Sequence, residues 1–77
     1  MKGVNNHMLP LILAEPGKEN IIKRIGGSPE VRRHLEDMGF TPGGSVTLIS
    51  AVGGNVIVKV KESRVALDEA LAKKVMV

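Results

Sequence analysis

The residue types with the most chemical potential lie in one segment, residues 28–43. Glu30, His34 and Asp37 have i−4 and i+3 spacing around the histidine, so a helix there would bring an imidazole near two carboxylates. A transition metal usually needs three or four ligands of this kind. One histidine with exposed carboxylates is a poor site, so we predict no metal site and interpret His34 as a half-exposed surface residue.

Catalytic groups are equally sparse. The sequence has no cysteine, which excludes disulfides, thiolate metal sites and thiol nucleophiles. Its glycine pairs match neither a phosphate-binding loop nor a dinucleotide-binding fingerprint, and we interpret them as turn residues. Glu36 and Asp37 are adjacent, and adjacent helical side chains point about 100° apart instead of forming an acid pair. We therefore predict a protein that is not an enzyme and has no cofactor and no small-molecule substrate.

Four basic residues, Lys23, Arg24, Arg32 and Arg33, flank or occupy the same segment. In one interpretation they form a solvated face, since Arg32 and Arg33 each precede an acidic residue by four positions. Such pairs contribute only a few tenths of a kcal/mol. Cations early and anions late in a helix are, however, the unfavourable order for the helix dipole. We therefore hypothesise that these four residues bind a partner protein, with the solvated face as the alternative.

The overall charge and the aromatic content limit the kinds of partner. The formal net charge is +3, and Phe40 is the only aromatic residue. Proline-rich peptides and single-stranded nucleic acids are recognised on aromatic surfaces, which one phenylalanine cannot provide. We expect no nucleic-acid partner. A nucleic-acid-binding small barrel remains an alternative because the calculated isoelectric point is about 9.6.

The basic residues must be positioned by a short helix whose two ends are both specified. Ser28 is a favourable N-cap and Pro29 suits the first helical position. Gly39 can adopt the left-handed conformation that ends a helix, and Phe40 then falls where it can pack on Leu35. A helix between Ser28 and Gly39 is therefore predicted. Its apolar stripe consists of Val31, Leu35 and Met38.

The rest of the chain predicts short strands joined by turns that contain glycine or proline. Leu9, Leu11 and Leu13 would share one strand face, on an edge because of Pro10. The second strand has an ambiguous inward face because Ile21 and Ile22 are adjacent. The further predicted elements are strands at 20–25, 45–52, 55–61, 64–67 and 75–77, a helix at 68–74, and turns at 15–18, 26–27, 41–43 and 53–54. These elements indicate a mainly β protein, a small closed or nearly closed barrel of about five strands.

Residues 1–7 are polar, and we predict a flexible N-terminal arm followed by a single domain over residues 8–77. The longest apolar run, residues 8–14, contains Pro10 and is far shorter than the ~20 residues that span a bilayer. The opening residues also lack the apolar region of a signal peptide. We therefore expect a cytoplasmic protein with no direct membrane insertion.

Over about residues 9–77 the sequence resembles the FeoA family, small cytoplasmic proteins of bacterial ferrous iron uptake. The most specific part is the helix with its continuation, Leu-x-x-Met-Gly-Phe-x-Pro-Gly. The motifs that carry the resemblance are Pro16-Gly17 followed by Ile22 and Ile25, the run at 32–40, Pro42-Gly43 with Ser45-Val46, and Val65-Ala66-Leu67 leading to Ala70, Ala72 and Val77.

The resemblance implies an SH3-like β-barrel with a helix inserted between early strands. It also implies an accessory or regulatory protein that acts with FeoB, a membrane iron transporter with a cytoplasmic GTPase domain. Protein–protein docking on the cytoplasmic region of FeoB is then the expected activity. FeoA-like domains also occur at the ends of iron-dependent repressors, so a metal-sensing regulatory module is a further alternative. The chain has no room for a DNA-reading helix-turn-helix and could sense only for another protein.

Overall fold

The computed structural model describes residues 8–77, which form six β-strands, two short α-helices and one 3-10 turn. The predicted flexible arm, residues 1–7, lies outside the described residues, so the domain boundary at residue 8 stays a prediction. In chain order the elements are the 3-10 turn Leu11–Leu13, β1 Glu19–Ile21, β2 Arg24–Ile25, α1 Pro29–Asp37, β3 Ser45–Val52, β4 Asn55–Val60, β5 Ser63–Asp68, α2 Glu69–Ala72 and β6 Val75–Met76.

The larger sheet is antiparallel, with strand order β1-β3-β4-β5. Period-two alternation determines its buried face, because Val56, Val58 and Val60 of β4 point inward and are at most 2% exposed. Between Leu48 and Ser50 the pairing of β3 with β4 shifts by one residue. Such a bulge increases local twist, which helps a small sheet to curve around its core.

The second sheet pairs β2 with β6, so Arg24 lies opposite Met76. Leu9 pairs separately with the end of the same C-terminal segment: its N–H donates to the Val77 carbonyl at 2.8 Å and its carbonyl accepts from the Val77 N–H at 2.7 Å. The predicted C-terminal strand is therefore confirmed. The mainly β fold class is also confirmed, but the strands form two separate sheets and do not close into one continuous barrel.

The predicted strand at residues 9–13 is wrong beyond Pro10, which forms a β-bridge with Met76. Leu13 N–H donates to the Pro10 carbonyl and Ala14 N–H to the Leu11 carbonyl, both at 2.9 Å, which makes a 3-10 turn. With three residues per turn, the leucines no longer share a face. Leu11 is fully buried, whereas Leu13 is 67% exposed.

The predicted strand at residues 20–25 is two strands separated by Ile22 and Lys23. The backbone of Ile22 leaves the ladder, since its N–H donates to the Gly44 carbonyl and its carbonyl accepts from the Gly43 N–H, each at 2.8 Å. This break determines which of the two adjacent isoleucines faces the core. Ile22 is buried at 1% exposure and Ile21 is 51% exposed.

Both ends of α1 are formed as predicted. The Val31 N–H donates to Ser28 Oγ at 3.2 Å, and Pro29 occupies the first turn. At the other end the Gly39 N–H donates to the Glu36 carbonyl at 2.9 Å, and the Phe40 N–H donates to the Leu35 carbonyl at 3.0 Å. This pair of hydrogen bonds is a Schellman motif. It returns Phe40 to the core, where Phe40 and Leu35 are both fully buried.

The core is aliphatic apart from Phe40, and no polar or charged residue among residues 8–77 is buried. Leu11, Leu35, Val58, Ala72 and Val75 lie at its centre with no exposed surface. These residues come from the 3-10 turn, both helices and both sheets, so one core unites all the elements. The polar side chains of the described residues are therefore on the surface, where the functional groups must be sought.

Replacing Gly39 with alanine tests the helix end. Gly39 has φ 104°, whereas the nearest atom to an added Cβ would be Val60 Cγ2 at 3.7 Å, an ordinary contact. The cost is therefore backbone strain, and we expect Gly39→Ala to lower the free energy of unfolding by about 1–2 kcal/mol in urea denaturation. Gly54→Ala is the control, because this glycine has no positive φ and open space around it, and its effect should stay within about 0.5 kcal/mol. Equal losses for the two variants would contradict this assignment.

Candidate partner-binding surface

The helix α1 presents Arg32 and Arg33 to solvent. Its apolar stripe fixes this orientation, because Leu35 is buried and Val31 and Met38 pack against the core. At 3.6 residues per turn, the two residues after Val31 turn away from that stripe. Both arginines are exposed in the structure.

Neither arginine forms an ion pair with a carboxylate of the described chain. The ion pair formed among residues 8–77 joins Lys73 Nζ to Glu69 Oε1 at 3.2 Å, within α2 and its C-terminal end. The i,i+4 pairs of Arg32 with Glu36 and of Arg33 with Asp37, which the solvated-face interpretation requires, are therefore not formed. The two guanidinium groups are exposed and available to an incoming acidic group.

The other two predicted residues lie in the segment that leads to this helix. Arg24 begins β2 and Lys23 immediately precedes it; both are exposed, and the Lys23 N–H donates to the Met76 carbonyl at 2.8 Å. After β2 only residues 26–28 precede α1. Lys23 and Arg24 are therefore close to α1 along the chain, and the neighbouring Ile25, which is buried, anchors their segment to the core.

Sequence reasoning missed a fifth basic residue, Lys74. Its carbonyl accepts from the Gly26 N–H at 2.7 Å, and its Cδ lies 3.6 Å from the position that a Cβ on Gly27 would occupy. The exposed Lys74 side chain thus lies beside the segment that begins α1. Only the long-range pairing of β2 with β6 brings it there, so no local pattern could have indicated it. We call Lys23, Arg24, Arg32, Arg33 and Lys74 the basic surface.

The charges of α1 are divided along its length. Arg32 and Arg33 lie in its N-terminal half together with Glu30, whereas Glu36 and Asp37 are at its C-terminal end. The N-terminal half therefore combines two guanidinium groups with the positive end of the helix dipole. This arrangement attracts an acidic group but does not increase the stability of the helix.

His34 is exposed on α1, and the structure gives it no ligand cluster. Among the described residues, no three histidine, cysteine, aspartate or glutamate side chains are grouped as a metal ion would require. His34 lies on the surface, and the exclusion of a metal role for it stays a prediction.

A separate cavity of about 470 Å³ lies on the outer face of the larger sheet. Its lining consists of Glu19, Ser45, Thr47, Lys59, Lys61 and Glu62. Its two acidic and two basic side chains are all exposed, so the cavity selects neither sign of charge. It includes no residue of the basic surface.

In the part of the chain that the structure describes, neither helix has the length and apolar composition that a membrane span requires.

Comparisons with known proteins agree on one family. A sequence model of the FeoA domain matches residues 9–77. The chain is 36% identical over 70 residues to a candidate Fe(2+) transport protein A of Methanocaldococcus jannaschii, covering 91% of this chain and 85% of that protein. Among solved structures it is similar to an iron uptake regulatory protein, FeoA, with a TM-score of 0.82, 31% identity, and coverage of 91% and 95% of the two chains.

A manganese-dependent transcriptional repressor shares the fold alone. Its TM-score is also 0.82, but the identity is 18% and the match covers 40% of that repressor's chain. The fold therefore also occurs as one part of a longer regulatory protein.

Neutralising the two helix arginines should leave the fold intact. Because neither Arg32 nor Arg33 pairs with a carboxylate of the described chain, we expect Arg32→Gln with Arg33→Gln to change the free energy of unfolding by no more than about 0.5 kcal/mol. Urea denaturation followed by circular dichroism measures this change. Ser28→Ala in the same helix is the positive control, with an expected loss of about 1 kcal/mol from the lost N-cap. A larger loss in the double variant than in the control would show that the arginines are structural.

Proposed function

The chain belongs to the FeoA family, and from this premise we propose that it is a small cytoplasmic accessory protein of ferrous iron uptake that docks on the cytoplasmic region of the FeoB transporter. In this role it regulates or assists transport by protein contact and catalyses no reaction. The family match over residues 9–77 and the relative named for Fe(2+) transport support the link to iron uptake.

One observation carries the docking proposal: the exposed arginines of α1 have no carboxylate partner in the described chain. A helix whose charges served its own stability would place anions first and cations last. The arginines of α1 have the opposite placement, yet its caps and apolar stripe are well formed. The basic residues are therefore best explained by an external partner with an acidic surface.

The remainder of the basic surface extends this contact. Lys23, Arg24 and Lys74 are exposed. Lys23 and Arg24 precede α1 closely in the chain, and the pairing of β2 with β6 brings Lys74 beside Gly26 and Gly27. Complementary charges on two proteins accelerate association and determine orientation more than they add affinity. We therefore expect the complex to weaken as the salt concentration rises.

Charge reversal on α1 tests the docking. The purified protein is titrated with the isolated cytoplasmic region of FeoB, and we expect a dissociation constant below about 100 μM, since weaker binding is hard to reconcile with regulation. Arg32→Glu with Arg33→Glu should raise that constant at least about tenfold, because two attractions become repulsions.

The matched control is Lys59→Glu with Lys61→Glu, which makes the same change in net charge on the outer face of the larger sheet. It should bind within about threefold of the parent protein if the contact is local to α1. No binding by the parent would remove direct docking. Equal weakening by both double variants would show a general charge effect, not a contact at the basic surface.

The link to iron uptake is tested in cells that lack the gene. The parent sequence should restore uptake of ferrous iron, and the variant with Arg32→Glu and Arg33→Glu should restore much less of it at equal protein level. The measurement is uptake of labelled Fe²⁺ over a short interval, with Lys59→Glu and Lys61→Glu as the control. Full restoration by the α1 variant would separate the role in uptake from the basic surface.

A further inference from the structure

The strand β5 is a regular edge of the larger sheet. It is the last strand in the order β1-β3-β4-β5, and its pairing with β4 runs without a shift from Val60↔Ser63 to Asn55↔Asp68. Natural proteins usually protect an edge with a bulge, a proline, a charge or a covering segment. Among the residues of β5 itself, Arg64 provides such a charge before the last residue of the strand.

Hydrogen bonding fixes which backbone groups of β5 face outward. The Glu69 N–H donates to the Gly54 carbonyl at 2.9 Å, directly after the pair Asn55↔Asp68. Hydrogen-bonded pairs alternate along an antiparallel ladder, so Ser63, Val65 and Leu67 bond to β4. Arg64 and Ala66 then direct their N–H and carbonyl groups away from the sheet, and neither N–H has an acceptor among residues 8–77.

The side chains of the same residues lie on the exposed face of the sheet. Lys59 is directly opposite Arg64, and neither side chain forms an ion pair within the described chain. Like charges that face each other across two strands are destabilising. A carboxylate arriving on the open side of Arg64 would relieve this repulsion.

The sequence of β5 can supply that carboxylate itself. We propose that two copies of this chain associate by antiparallel pairing of β5 with β5, with Ala66 opposite the partner's Ala66. In this register Arg64 lies opposite the partner's Asp68, and the two-fold symmetry repeats the contact. The outward backbone groups of Ala66 and Arg64 become paired, and the small Ala66 side chains let the strands approach.

The interface is small. Strand addition of this length buries less surface than the about 1,200 Å² of a standard stable complex, so the dimer forms only at high protein concentration. Its core contacts are backbone hydrogen bonds, and the charged pairs select the register. No residue of the basic surface takes part.

Ala66→Pro tests the backbone contact. The proline removes an N–H that points away from β4, and a strand edge tolerates proline at such a position. Sedimentation equilibrium of the parent protein at up to about 1 mM should show a reversible dimer, with concentration-dependent amide shifts centred on residues 63–68. Ala66→Pro should raise the dissociation constant at least about tenfold. A parent protein that stays monomeric at about 1 mM, or an unchanged constant in the variant, overturns the proposal.

A charge exchange tests the register independently of the proline. Arg64→Glu alone and Asp68→Lys alone each place like charges opposite one another twice, so each variant should be monomeric. An equal mixture restores an opposite-charge pair at both contacts and should recover the dimer within about threefold of the parent's dissociation constant. Circular dichroism of each variant shows that it is folded, since Asp68 also caps α2. A mixture of folded variants that remains monomeric contradicts the pairing, as do amide shifts that centre on another surface.

Discussion

The structure depends above all on the burial of one small aliphatic core by a chain of 77 residues. A protein of this size buries only about 60% of its unfolded surface, so it has few core positions to spare. Here the described core holds no polar group, and residues from both sheets, both helices and the 3-10 turn meet in it. The interior therefore serves stability alone. Any chemistry or recognition is left to exposed side chains and open strand edges.

Packing of the helix α1 on this core determines which of its side chains are exposed. Its N-cap, its Schellman end and the buried Leu35 fix the rotation of the helix about its axis. Once that rotation is fixed, Arg32 and Arg33 must point to solvent. A surface made this way is preorganised, so binding needs to immobilise only side chains and not the backbone. For the docking proposed above, this is a physical reason to place a charged contact on a doubly capped helix.

The sequence predicted those parts of the fold that depend on neighbouring residues. The caps of α1, the turn of Pro42 and Gly43, and the alternation of β4 are all local, and the structure confirms them. The alternating leucines at residues 9–13 predicted a strand because their spacing of two fits one. The structure of this segment is instead determined by the hydrogen bonds of a 3-10 turn and by the bridge of Pro10 to Met76. Which of Ile21 and Ile22 is buried likewise depends on the hydrogen bonds of Ile22 to Gly43 and Gly44.

The same division between local and long-range interactions applies to the surface. The arginines of α1 could be identified from the sequence because their neighbours define the helix, whereas Lys74 is brought beside Gly26 and Gly27 only through the pairing of β2 with β6. The open edge of β5 is a property of strand order, which composition and periodicity do not contain. Because that edge and the basic surface share no residue, pairing through β5 would present two copies of the basic surface on one particle. Two linked contacts bind a partner with two matching sites more tightly than either contact alone, with no change in the contacts themselves.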